Sequence, residues 1–359
     1  MKIALAHDYL NQYGGAERVL QVLCAMFPRA PIYTTIYDEV ATGGVFKDRV
    51  IRTSFLQRLP GALRHHHAFA PLMPLAVEQF DTSDYDVVLS VSASFIKGLV
   101  TAPHTRHIDY CLTPPRFLWD DSHKFVDEFK YPWPLKRIAI PALSYLRIWD
   151  REASHRVDNF LAISGFVKDR IKKYYGREAE IIYPPVAIEK FSVATKPGEY
   201  FLMVGRLVAY KKFDLAVRVF NRLGWPLKIV GTGIETRRLK KLADPNIEFL
   251  GLVDDDKLAE LYRGAKALIF PQEEDFGIVP LESMASGRPV IAYRAGGVLE
   301  TVQEGVTGTF FNEQSEDSLF EALKSFDPAL FDPGACRSRA EQFDVEEFRK
   351  KIQKAVQQT

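Results

Sequence analysis

The stretch from Glu273 to Val290, EEDFGIVPLESMASGRPV, follows a compact apolar run, Ala267 to Phe270, and reads as the loop and helix leaving a buried parallel strand. Pro280 falls where the first turn of a helix tolerates a missing N–H, and Gly287 followed by Pro289 is a stop signal. The pattern predicts a helix of roughly Ile278 to Ser286. Glu274 lies in the loop before it, Glu282 about one turn inside it, and Gly277 removes a side chain where something must approach the backbone. Strand, loop and helix in that order are the unit of a parallel α/β sheet, which narrows the architectures open to the chain.

The backbone N–H groups of Phe276, Gly277 and Ile278, at the positive end of the helix dipole, favour an anion and above all a phosphate. Carboxylates beside it accept hydrogen bonds from neutral hydroxyls such as those of a ribose or hexose. Two glutamates flanking such a site suggest a sugar nucleotide, whereas standing alone they read as solvated residues. A second segment supplies context. VGRLVAYKKFD, Val204 to Asp214, follows the apolar strand Tyr200 to Val204 and leads into the helical pattern Leu215, Val217, Val219 and Phe220. Arg206 and Lys211 therefore sit at a strand's carboxyl end, where an open parallel sheet collects ligands and where two cations can neutralise a diphosphate without a metal. Alone, the segment reads as a solvated basic turn.

With these two segments the chain resembles the retaining glycosyltransferases of GT-B fold, specifically glycosyltransferase family 4. Its E-x7-E motif matches Glu274 and Glu282, and its G-R-L-x3-K motif matches Gly205, Arg206, Leu207 and Lys211. Gly14, Gly15, Ala16, Glu17 and Arg18 after a first strand, TPPRFLWD from Thr113 to Asp120, and the AIS turn ending at Ser164 extend the resemblance over nearly the whole chain. Together they look like the branch of bacterial O-antigen mannosyltransferases. Leu112 departs from that pattern, since relatives often carry a histidine there. The resemblance implies two Rossmann-like doubly wound domains facing a central cleft, with Gly14 and Gly15 lining the diphosphate. It implies a nucleotide-sugar donor, GDP-mannose favoured, with no cofactor beyond it and no metal.

Length and composition agree. At 359 residues and 47% hydrophobic content the chain suits two α/β domains rather than one core. The formal net charge of +1 gives no electrostatic argument for nucleic acid. Lys47, Arg49, Arg52, Arg58 and Arg64, interleaved with Phe55, Leu56, Leu59 and Leu63, read either as a basic amphipathic segment for an anionic bilayer or as an ordinary solvated one. Adjacent helical positions diverge by about 100°, so His65, His66 and His67 read as surface residues and not a metal site. Cys24, Cys111 and Cys336 have neither disulfide nor zinc spacing. The short apolar run Ile3 to Ala6 is no signal peptide, and no 18 uncharged apolar residues follow one another, so the expected location is cytoplasmic, at most peripheral to the membrane.

Strands are expected at Lys2 to Ala6, Val87 to Val91, His107 to Leu112, Asn159 to Ile163, Tyr200 to Val204, Leu227 to Val230, Ile247 to Leu250, Ala267 to Phe270 and Val290 to Tyr293. A helix is expected from Ala16 to Phe27 and an amphipathic one from Val345 to Ala355. Glu180 to Pro185 has the extended bias of a linker. The domains are therefore placed at 1–180, on the acceptor side, and 181–340, for the nucleotide sugar, with 341–359 a helix crossing back by resemblance. Asp8 reads either as a cap or as an acceptor-side or sugar-hydroxyl contact, and Arg116, Phe117 and Trp119 are candidates for the acceptor wall. Gly231 and Gly233 make a poor dinucleotide fingerprint, Thr236 standing where its third glycine would be. Gly296 and Gly297 fit tight packing or ligand contact. Asp84 and Asp86, like Asp254 to Asp256, read as caps, not as a metal-binding D-x-D.

The expected activity is transfer of a hexose, with its configuration retained by resemblance, to a lipid-linked or polysaccharide precursor. Arg206, Lys211 and the helix amides would stabilise the leaving diphosphate, Glu282 would hold ribose and Glu274 the donor hexose. A UDP- or dTDP-sugar donor, an epimerase or phosphorylase, and a non-catalytic nucleotide-sugar-binding module are the alternatives.

Overall fold

The computed structural model describes residues 1–120, 133–194, 196 and 198–357, without the side chains of 133–140. The chain divides into two units, Met1–Tyr183 with Arg349–Thr359, and Pro184–Phe348. In the first, β1 (Ile3–His7), β2 (Ile32–Thr34), β3 (Ile51–Thr53), β4 (Val87–Ser92), β5 (Arg106–Cys111), β6 (Asn159–Ala162) and β7 (Ala179–Ile181) form one sheet in the order β3-β2-β1-β4-β5-β6-β7. In the second, β8 (Tyr200–Val204), β9 (Leu227–Val230), β10 (Ile247–Gly251), β11 (Ala265–Phe270), β12 (Val290–Tyr293) and β13 (Gly308–Phe311) run in the order β10-β9-β8-β11-β12-β13. All these pairings are parallel. Both are doubly wound sheets whose order reverses once, between β1 and β4 and between β8 and β11, the place where such folds bind ligands.

Sequence dictates this through burial on both faces. The central strands β4 and β11 read VVLSVS and AKALIF, near-continuous apolar runs of the kind a parallel sheet covered by helices requires. In the second unit the helix Phe213–Leu223 turns Phe213, Leu215, Ala216, Val217, Val219 and Phe220 inward. The last helix, Val345–Gln357, buries Phe348, Ile352, Ala355 and Val356, a helical stripe, and the Ala355 carbonyl accepts a hydrogen bond from Arg106.

Strands β2, β3, β7 and β13 lie outside the sequence expectation. The first three are three residues long, too short for a period to emerge, and the fourth, GTFF, opens on a glycine and a threonine and shows no apolar run. The stretch read as a linker, Glu180 to Pro185, opens with the last two residues of β7.

The basic segment is not one amphipathic helix. Ile51–Thr53 is a strand, Phe55–Arg58 a single 3-10 turn and Ala62–His65 a short helix. Its apolar residues Phe55, Leu56, Leu59 and Leu63 face the core of their own unit. Arg49 donates to the Cys24 and Pro28 carbonyls and Arg52 to the Tyr33 hydroxyl. His66 also departs from the surface reading: its ring packs 4.5 Å from that of Tyr9, its Nδ1 lies 3.0 Å from Asn11 Nδ2, and burial with His67 alongside pulls its pKa down to about 4.

Candidate functional site

At the reversal in the second sheet, two loops leave neighbouring strands. After β8 comes Gly205, at φ 153°, a backbone conformation that only glycine adopts readily. This loop lies directly on the one after β9. A Cβ on Gly231 would stand 1.9 Å from the Gly205 carbonyl oxygen, and one on Gly233 would stand 2.3 Å from that of Leu207. Gly231 and Gly233 are therefore spacers that let the two backbones touch, locked by Leu207 N–H donating to the Thr232 carbonyl at 3.0 Å. Arg206 is exposed, Leu207 is buried, and the Lys211 side chain is 11% accessible. Lys212, at φ 54°, is the one positive-φ residue other than glycine among the described residues and opens the helix Phe213–Leu223.

After β11, Glu274 meets that loop. Its Oε1 lies 2.7 Å from Lys211 Nζ and also accepts a hydrogen bond from Gln272 Nε2 at 3.3 Å. The Glu274 side chain is 20% accessible, so one oxygen is fixed while the carboxylate still reaches solvent. The loop's backbone is held from behind: the Glu274 carbonyl accepts from Gly297 N–H at 2.8 Å. A Cβ on Gly296 would lie 2.4 Å from the Glu274 carbonyl oxygen, and one on Gly297 the same distance from that of Asp275. Of the two readings of Gly296 and Gly297, tight packing is the one the geometry satisfies.

Gly277, at φ 92°, then opens the helix Ile278–Ala285, with Phe276 buried beneath it. The first N–H groups of that helix have no intrahelical acceptors by construction. Glu282 is 5% exposed, and its Oε2 accepts from the hydroxyl of the fully buried Tyr262 at 2.7 Å. The structure thus brings Gly205, Lys211 and Glu274 into one cluster, with Arg206 on the same loop and Phe276, Gly277, Ile278 and Glu282 on the segment that continues from Glu274. Tyr262 and Gln272 were not anticipated. Tyr262 carries no signal on the helix Asp255–Arg263, whereas Gln272 does, an amide two residues past an apolar strand.

At the first sheet's reversal the chemistry is different. Asp8, just after β1, accepts from the backbone N–H groups of Ala93, Phe95 and Ile96 at 2.6, 2.8 and 2.8 Å and is 4% exposed. The cap reading of Asp8 is the one realised. Gly14 caps the helix Gly15–Met26, and its N–H is already donated to Glu17 Oε2 at 2.7 Å. Burial pushes Glu17 up, but the His7 ring, 3.5 Å from Oε1, and the backbone N–H groups outweigh it and leave its pKa lowered.

Trp119 is tied into its own domain. Its indole N–H donates to Asp150 at 2.8 Å and its ring stacks on Tyr174 at 4.8 Å. Arg116 and Phe117 are half-buried on the same turn. Arg170 binds Thr113, the Pro114 carbonyl and Asp120, so TPPRFLWD is braced at both ends from the helix Gly165–Tyr175. Asp150 also accepts from Tyr175 at 2.8 Å and pairs with Lys97, both members of the pair being at most 1% exposed. Burial would drive Lys97 down, but the Asp150 carboxylate reverses it and the pKa is raised. Asp109 accepts from Ser90 and Ser92 at 2.5 and 2.7 Å, and burial pushes it up to about 6.

Asp254 caps its helix by accepting from Lys257 N–H at 2.8 Å, and Asp86 accepts from Lys2 N–H at 2.6 Å across the start of the sheet. Among the described residues no group of three or more His, Cys, Asp or Glu is placed to hold a metal ion, and no helix is long and apolar enough to cross a membrane.

Two parallel doubly wound units with a ligand-collecting edge in each define the class, and comparison with known proteins names it. Residues 13–190 match Glycosyltransferase Family 4 and residues 187–327 match Glycosyl transferases group 1. The chain belongs with the glycosyltransferases of GT-B fold. It is 28% identical over 184 residues to an uncharacterized glycosyltransferase of Methanocaldococcus jannaschii, covering 49% of this chain and 52% of that protein. It is 30% identical over 202 residues to glycogen synthase of Mycobacterium tuberculosis, covering 51% and 48%. The first relatives are thus matched over about a third to a half of their own lengths. Among solved structures, sucrose-phosphate synthase of Thermosynechococcus elongatus superposes with a TM-score of 0.75 at 17% identity, over 99% of this chain and 98% of that one. HepE of Anabaena in complex with UDP gives 0.70 at 17%, over 99% of both chains.

Proposed function

We propose that the chain is a retaining hexosyltransferase that takes its sugar from a nucleoside diphosphate, GDP-mannose favoured, and passes it to a lipid-linked or polysaccharide precursor. The observation that carries this is the Lys211–Glu274 pair, 2.7 Å apart where two loops leave adjacent strands, with the helix at Ile278 beginning a few residues on. Cleaving the anomeric bond leaves new negative charge on the diphosphate. Lys211, Arg206 and the helix amides favour that state over the ground state, each such donor being worth about 3 kcal/mol of barrier. Glu274 and Glu282 accept hydrogen bonds from hexose and ribose hydroxyls and hold geometry. The cations take the place of a metal, and no cofactor is required beyond the donor. The location consistent with this supply of nucleotide sugars is the cytoplasm, at the inner membrane face if the acceptor is lipid-linked.

A UDP-sugar is the second donor reading, favoured by the HepE structures, which hold UDP and UDP-glucose. The test is to incubate the purified protein with GDP-mannose, UDP-glucose and dTDP-glucose, a lipid-linked acceptor, and excess EDTA. Transfer with retained configuration, unaffected by EDTA and reduced at least 100-fold in Glu274→Ala, is expected. No transfer from any donor, with wild type and Glu274→Ala alike, refutes the proposal. Release of free isomerised nucleotide sugar or sugar phosphate would instead indicate an epimerase or phosphorylase, and binding without turnover a regulatory module.

A further inference from the structure

Gln272 is 2% exposed, the second residue past β11, and its side chain is half satisfied. Nε2 donates to Glu274 Oε1 at 3.3 Å, while Oε1 is buried and has no hydrogen-bond partner. The amide cannot be turned over to remove the mismatch, because a carboxylate oxygen accepts from an NH2 and repels a carbonyl. Lys211 shares the same Glu274 oxygen at 2.7 Å. Within an amide the two terminal atoms are little more than 2 Å apart, so the unpaired acceptor belongs to the Lys211–Glu274 cluster and not to some remote part of the core. A buried carbonyl oxygen left without a donor is destabilising, and native proteins rarely keep one unless a ligand or water completes it.

We propose that Gln272 is a specificity-determining residue, its side-chain carbonyl accepting a hydrogen bond from a hydroxyl of the sugar being transferred while its NH2 holds Glu274 in register. This rests on the donor reading given above. The amide thereby does two things with two atoms. It restrains one oxygen of Glu274, and it presents an acceptor that a donor lacking the matching hydroxyl would leave empty. Such unfilled buried groups discriminate more strongly than a missing apolar contact does.

The experiment compares wild type and Gln272→Met, a substitution of similar length without polar atoms. GDP-mannose, UDP-glucose and the monodeoxy derivatives of each serve as donors, with GDP and UDP as inhibitors. Wild type is expected to lose roughly 10- to 100-fold in kcat/KM against one particular deoxy derivative. Gln272→Met should lose a similar factor with the parent sugar, no longer distinguish it from that derivative, and still bind the free nucleotide within about twofold of wild type. Wild type that treats every deoxy derivative as it treats the parent overturns the proposal without recourse to any variant. So does a Gln272→Met protein that keeps full discrimination, or one that weakens GDP and UDP binding as much as sugar transfer. Wild type that neither binds nor turns over any of these nucleotide sugars sinks the donor reading itself, an outcome separate from an active enzyme indifferent to Gln272.

Discussion

Gly297→Ala adds one methyl group behind the Glu274 loop. The backbone there is φ −66°, ψ −14°, which alanine adopts freely, so the substitution carries no dihedral strain. Its effect comes from contact alone. The new Cβ would lie 2.4 Å from the Asp275 carbonyl oxygen and 2.5 Å from Phe276 Cα, whereas ordinary contact begins at 3.4 Å. The loop carrying Glu274 to Gly277 must therefore retreat by about 1 Å, and over-packing of this kind costs about 1–3 kcal/mol. For a unit of this size the melting temperature should fall by about 2–10 °C. Activity should suffer more than stability. Displacing a binding group by about 1 Å reduces turnover by about 100-fold, and the loop sets both Glu274 and the start of the helix at Ile278. Gly224→Ala is the control: at φ 67°, with nothing within 4 Å of its Cβ, it should cost about 1 kcal/mol of strain and leave catalysis untouched. Thermal melts and kcat/KM on the same preparations decide the matter. A Gly297→Ala protein with wild-type kcat/KM, or a Gly224→Ala protein that loses as much activity, refutes the claim that Gly297 positions the Glu274 loop.

Tyr262→Phe removes the hydroxyl that donates to Glu282 at 2.7 Å and should raise the donor KM about tenfold, consistent with about 1.5 kcal/mol for a hydrogen bond to a carboxylate, with little change in kcat. A KM equal to wild type contradicts it. Lys97→Met strands the buried Asp150 carboxylate and should destabilise the first unit by about 3–5 kcal/mol, while Lys97→Met with Asp150→Asn should recover most of that; urea midpoints test the pair. Asp109, pushed up to about 6 from an ordinary value near 3.9, binds its proton more tightly when folded. Its contribution of about 3 kcal/mol is complete below pH ~4 and is lost as pH rises through about 6, so Asp109→Asn should alter the slope of stability against pH across that window and not above it. Parallel urea-midpoint profiles for the two proteins would contradict this.

Strands were legible where burial on both faces writes an apolar run, as at Leu227–Val230 and Val290–Tyr293, where the bounds coincide with expectation. The strands at Ile32–Thr34, Ile51–Thr53 and Gly308–Phe311 left no such trace, because their pairing depends on neighbours distant in sequence. In the site, the loop and helix around Gly277 could be read from Pro280 and the glycine signals. Partners could not. Nothing near Lys211 announces Glu274, and the hydroxyl that holds Glu282 sits on a different helix. The histidine triplet shows the converse error. Helical periodicity sets adjacent rings about 100° apart, yet the helix ends at His65, a 3-10 helix begins at His66, and the His66 and His67 rings lie 3.8 Å apart with His66 half-buried beside Tyr9.

The two sheets reverse at the same topological position and use it in opposite ways. In the first, the loops after β1 and β4 are joined by Asp8, whose carboxylate is consumed by three backbone N–H groups and is nearly inaccessible. In the second, the corresponding loops after β8 and β11 meet through side chains, Lys211 and Glu274, which remain 11% and 20% accessible. The backbone work there is done elsewhere: Gly231 and Gly233 support one loop from the β9 side, and Gly296 and Gly297 support the other from behind. Relieved of that task, the charged groups can exchange each other for a ligand without releasing a backbone N–H, provided the ligand gives each of these largely buried charges a new partner. An Asp8-type arrangement could not do so, because releasing that carboxylate would strand three buried N–H groups. Glycine placement, together with charge, is what separates the two switch points, one locked through backbone N–H groups and the other joined through side chains.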